Sequence, residues 1–142
     1  MNKRVEGVTE APSLKEKVQL AYSAFSRGDM DGFMAHLCFH PDAVMIEPDG
    51  LPYGGNYRGP DAIRKGIENA VATWEDFGGF VEDVAASGNL VYVHMHVMGK
   101  GKASGEAFAM PIVEVLRFRD GQLIEFRPFY FDTARCRSCF ER

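Results

Sequence analysis

At 142 residues the chain has the length of one domain, expected to span residues 1–142 and to bury a substantial core without staples. Its 20 acidic and 16 basic side chains leave a formal charge of -4, which suits solubility and argues against a nucleic-acid partner. No apolar run is long enough to span a bilayer and MNKRVEGVTE lacks a secretory apolar core, so no membrane partner and a cytoplasmic location are expected.

Residues 1–12 read as a flexible lead-in. Ser13 followed three residues later by Glu16 is a capping box that opens a first helix, and Leu14, Val18, Ala21, Tyr22 and Phe25 form its apolar stripe. Gly28 is placed to end that helix and Asp29 to cap a second, short one carrying Met30, Phe33, Met34 and Leu37. His40-Pro41-Asp42 breaks the pattern, and Ala43 to Glu47 reads as a strand. PDGLPYGGNYRG, from Pro48 to Gly59, reads as loop because four glycines and two prolines disfavour regular structure. Pro60 and Asp61 suit the first turn of a third helix running to about Thr73. Trp74 and Phe77 follow in a segment ending at Gly78-Gly79, and Phe80 to Ala85 reads as a strand. Three longer antiparallel strands are then predicted, Leu90 to Met98, Glu106 to Phe118 and Gln122 to Phe131, the last two joined by Arg119-Asp120-Gly121. Residues 134–142 read as a C-terminal tail. Cys136 and Cys139 have C-x-x-C spacing there, but a zinc site would need two further ligands, so reduced surface thiols are expected. Helices in the first half and a sheet in the second make an α+β domain, with room for a small-molecule cavity between the layers.

Four groups of residues offer chemistry. Tyr92, His94 and His96 alternate with Val91, Val93, Met95 and Val97, so one strand face is polar and aromatic and the other aliphatic. The histidines read first as surface or interface groups, next as pocket-lining groups that exchange protons near neutral pH, and last as metal ligands. Glu47, at a strand end before a proline, can project into a cavity mouth, where burial would make it a proton shuttle; spacing alone favours a solvated strand-end glutamate. Tyr53 and Tyr57 in the glycine-rich loop either close over a ligand or seal the core, and Trp74 shares that ambiguity. On the last strand, Glu125 and Arg127 lie opposite Ile124, Phe126 and Tyr130, while Glu114 and Arg117 read as outer-surface residues. No serine-histidine-acid triad can be defended from the sequence.

VQLAYSAFSRGDMDGFMAHLCFHPDAVMIEPDG, LPYGGNYRGPDAIRKGI and VEVLRFRDGQLIEFRPFYFDTA together resemble the nuclear transport factor 2-like superfamily, in its SnoaL-like and ketosteroid-isomerase-like branches. The resemblance implies a cone-shaped, cystatin-like fold, with a curved, mixed but largely antiparallel sheet wrapped around the N-terminal helices, and a homodimer through the outer sheet face. It matches Glu47 to a carboxylate that removes a proton alpha to a carbonyl. The family's helix-one tyrosine matches Ala21, beside Tyr22, and its sheet aspartate matches Pro111. His94, His96 and Tyr130 match cavity-facing positions, and Asp132 is a less favoured acid. The implied function is an isomerase, cyclase or lyase on a small apolar carbonyl compound. Glu47 would be the base, and His94 or His96, with Tyr130 or Tyr53, would bond the enolate, a chemistry that requires no metal or organic cofactor. Tyr22, Tyr57, Trp74, Tyr92 and Pro111 complete the expected site for a small apolar or aromatic ligand. The alternative is a non-catalytic binding or dimeric interaction domain, so catalysis itself stays open.

Overall fold

The computed structural model describes residues 11–141; the expected lead-in lies almost wholly outside them. The capping box forms as read: Ser13 Oγ accepts from Glu16 N at 3.1 Å and Ser13 N donates to the Glu16 carboxylate at 2.9 Å, starting α1 (Leu14–Ser26). Asp29 caps α2 (Met30–Leu37) by accepting from Gly32 N. Strand β1 (Phe39–Glu47) runs through His40-Pro41 with an irregular register and is longer than the sequence suggested. The expected loop after it is partly a strand: β2 (Gly55–Arg58) returns antiparallel to β1, pairing Gly55 with Glu47. Gly54 makes that return possible, since a Cβ there would stand 2.2 Å from the Pro48 carbonyl oxygen. Helix α3 (Pro60–Thr73) starts at the proline as expected.

Strand β3 (Trp74–Ser87) absorbs the Gly78-Gly79 pair instead of ending at it, with register breaks at Glu75/Gly78 and Val81/Asp83. It pairs with β4 (Leu90–Gly101), then β5 (Ala107–Arg119) and β6 (Gln122–Tyr130) follow antiparallel, and β6 pairs parallel with β1. The expected tail instead forms α4 (Thr133–Phe140), capped by Asp132 accepting from Arg135 N at 3.0 Å. Cys136 and Cys139 are buried in it, which corrects their reading as surface thiols; Cys38 is exposed.

The α+β layering and the mixed sheet are as read, but the cone-shaped, curved sheet wrapped around the helices is corrected. The six strands pair in the linear order β2-β1-β6-β5-β4-β3, and the two end strands do not meet. A sheet closes only when its end strands pair, and four-residue β2 bonds to β1 alone. The sheet is open. One core cluster joins α1, α2 and α3 to residues such as Met45, Val93, Leu116 and Phe126. A second joins Cys136 and Cys139 of α4 to Trp74, Val97, Phe108 and Met110. No helix among the described residues is long and apolar enough to cross a membrane.

Candidate functional site

Strand alternation decides which side chains reach the interior. On β1 the inward residues are Ala43, Met45 and Glu47, and on β5 they are Phe108, Met110, Ile112, Glu114, Leu116 and Phe118. Two carboxyls therefore stand in otherwise apolar rows. Glu47 is 6% exposed, which excludes the solvated strand-end reading, and its Oε1 has no hydrogen-bond partner among the described residues. Burial first, and the charge of Glu114 second, push its pKa up to about 8. Glu114 accepts a hydrogen bond from the Tyr22 hydroxyl of α1; burial pushes its pKa up to about 7, against the opposing pull of that bond. The Tyr22 phenol is driven well above its ordinary value by burial and by the same carboxylate.

The inward position of Glu114 corrects the outer-surface reading. It also sets a helix hydroxyl beside a sheet acid, Tyr22 with Glu114, one helix position and three strand positions from the matched Ala21 and Pro111. The sequence held a usable signal, since Glu114 is the single charged residue in the even-numbered apolar row of β5.

A cavity of about 550 Å³ opens between α1, α3 and the β3-β4 pair, a size suited to a small organic molecule. Phe25, Met30, Ile67, Val71, Met95 and Val97 make its apolar wall, and Tyr22, Ser26 and Glu68 contribute polar groups. Of the residues expected to bind ligand, Tyr22 is the one in this wall. Glu47 and Glu114 are not in it; Tyr22 links Glu114 to it by their hydrogen bond.

The other expected residues divide into two sets. Tyr53, Tyr57, Trp74 and Tyr130 lie inside the fold and bond to one another. The Tyr53 and Tyr130 hydroxyls are 2.9 Å apart, Trp74 Nε1 donates to Tyr53 at 3.3 Å, and the Tyr57 hydroxyl donates to the Tyr53 carbonyl at 2.6 Å. Burial raises the Tyr53 pKa to about 12 and drives Tyr130 higher, with Glu47 a further cause for both. Tyr92, His94, His96 and Pro111 point the other way. The odd-numbered β4 residues Val91, Val93 and Val97 are buried, so the even-numbered ones face outward, and Pro111 pairs with His96 on that outer face. The cavity-facing expectation for both histidines and for Pro111 is thus corrected, because the aliphatic half of the alternation takes the core. Asp132 is occupied as a helix cap.

The SnoaL-like domain family matches residues 18–126. No curated protein matches the sequence. Among solved structures, an NTF2-like protein from Burkholderia thailandensis is 22% identical with a TM-score of 0.85, over 93% of this chain and 100% of that one. An NTF2-like protein of unknown function from Burkholderia pseudomallei is 26% identical with a TM-score of 0.77, over 89% and 95%. TerC, co-crystallised with polyporic acid, is 19% identical with a TM-score of 0.75, over 89% and 97%.

Proposed function

The chain belongs to the SnoaL-like domain family of the NTF2-like superfamily, and from that premise we propose that it binds a small, mostly apolar carbonyl compound and moves a proton on it. The carrying observation is the buried Glu47 oxygen without a partner, on a carboxyl poised near neutral pH. An ion there is costly unless a substrate proton is exchanged for it, and a base with a pKa near the working pH transfers protons best. Ionised Glu47 takes a proton from the carbon alpha to the carbonyl, the C–H pair moves into the new C=C bond, and charge collects on oxygen. The Tyr22 hydroxyl, at the cavity wall, takes the donor role first expected of His94 or His96: its single proton turns from Glu114 to the substrate oxygen, while Glu114, when protonated, donates to the Tyr22 oxygen in exchange. Where a C=C bond is conjugated with the enolate, Glu47 then returns the proton to the far carbon, which completes an isomerisation. That the related fold of TerC holds polyporic acid supports a carbonyl-sized occupant.

A second reading, binding without chemistry, is favoured by one observation: Glu47 is absent from the cavity wall, so a molecule seated there does not touch it as the side chains stand. Alpha-proton exchange in heavy water separates the two. Small apolar ketones that bind by calorimetry are followed by proton NMR with the natural protein and with Glu47→Gln. Exchange lost in Glu47→Gln while binding persists supports the enzyme. Binding without any Glu47-dependent exchange leaves the binding domain. A homodimer through the outer sheet face belongs to the same proposal, as does a cytoplasmic location.

A further inference from the structure

The register break in β3 serves a second cluster on the face turned away from the cavity. Val81 pairs with Met95 and Asp83 with His94, so Glu82 is the extra residue of a bulge and has no partner across the ladder. Freed in this way, its side chain leans over β4 between two histidines. Glu82 Oε2 lies 2.9 Å from His94 Nδ1 and 3.6 Å from His96 Nε2. The first is a close ion-pair distance. The second is too long for a hydrogen bond, and none explains why His96 also turns its ring nitrogen to the same oxygen.

We propose that Glu82, His94 and His96 form a binding site for a divalent transition-metal ion of the zinc type. The three ligand atoms lie within 4.8 Å of one another. Zinc bound by imidazole and carboxylate at about 2.0–2.2 Å sets tetrahedral ligands roughly 3.4 Å apart. The two distances to Glu82 bracket that edge, and a shift of about 1 Å in either ring closes the remaining gap. Two imidazoles and one carboxylate are a donor set for zinc, copper or nickel rather than for magnesium or calcium. Each side chain keeps between 35% and 49% of its surface exposed in the single chain, so an ion can enter before two chains pair on this face, and a water or a partner group can take the fourth position. Phe80 stacks on His96 with ring centroids 5.1 Å apart, which restrains that ring. The ion would tie the edge strand β3 to β4 from outside. It would have no direct part in proton transfer at the cavity, which lies behind the sheet.

The test is calorimetric titration of zinc into the metal-stripped full-length protein, with cobalt(II) absorption as a second readout. One zinc per chain is expected, with visible cobalt bands of a low-coordinate site. Glu82→Gln and His94→Ala are each expected to weaken binding by about a hundredfold, the upper range found when even outer-sphere partners of a metal are lost. Cys38→Ser is expected to leave binding unchanged. Folding of each variant is checked by circular dichroism; should His94→Ala fail to fold, Glu82→Gln decides. No zinc uptake by the folded protein overturns the proposal, as does uptake that survives Glu82→Gln or disappears in Cys38→Ser.

Discussion

A carboxyl buried without a partner keeps its proton, and Glu47 sets a pH dependence through that alone. Its pKa rises from 4.5 to about 8, mainly by burial. Between those values the native state holds a proton that the unfolded chain has released. Stability is therefore fullest at the acidic end of the window and falls as pH rises through it, by at most about 1.4 kcal/mol per pH unit for one proton. Glu114, pushed up to about 7, acts with the same sign over a narrower window. Urea midpoints are expected to decline between about pH 5 and about pH 8, and Glu47→Gln to flatten the decline; an equal slope in both proteins contradicts the assignment. Tyr22→Phe removes the bond that holds Glu114 down, so the carboxyl should titrate higher, read by carbon-13 NMR, at a stability cost of about 1–3 kcal/mol. The strand ending at Glu47 was legible in the sequence, but its burial was not: spacing alone favoured a solvated glutamate, and only the resemblance matched it to an inward carboxylate. Tyr22 with Glu114 was not legible either, because their meeting joins residues 92 positions apart.

Helix α4 is the element that sequence patterning could not reveal. Eight residues are too few for a helix to stand alone, so packing decides its formation. Its buried face is a pair of cysteines, which periodicity reads as unremarkable. The fit is close: a Cβ on Gly101 would sit 1.9 Å from the Cys139 carbonyl oxygen. Gly101→Ala must therefore push α4 away from β4. In the natural protein Cys38 should react rapidly with a thiol reagent while Cys136 and Cys139 react only on unfolding. Burial also pushes the Cys136 thiol up to about 12, which slows it further. In Gly101→Ala all three should react under native conditions; protection unchanged from the natural protein would show that α4 docks without this contact. Strand β2 escaped for a related reason, since GNYR extends only because β1 offers it a partner. The three long strands were legible because β-branched and aromatic residues repeat there at period two.

At the scale of the whole molecule, the helices cover one face of the sheet and leave the other bare. Chain order and composition revealed the two layers. The cone-shaped, curved sheet implied by the resemblance did not survive, since the path of a sheet depends on which strands meet at its edges and no local residue pattern reports that. The bare face is mixed rather than uniformly polar. Phe80, Tyr92, Met98 and Phe129 are exposed on it, and the rows His94-Val113-Phe129 and Phe80-His96-Pro111 run across adjoining strands. Grouped exposed apolar side chains are the kind of surface through which proteins associate. The homodimer proposed above would set this patch against itself about a two-fold axis. Phe129, 53% exposed near the middle strands, is the residue to change. Sedimentation velocity of the natural protein should give a dimer and Phe129→Glu a monomer with unchanged circular dichroism, because a buried charge without a partner costs more than the contact it replaces returns. A natural protein that sediments as a monomer, or a glutamate variant that still pairs, would mean that this apolar face does not mediate self-association.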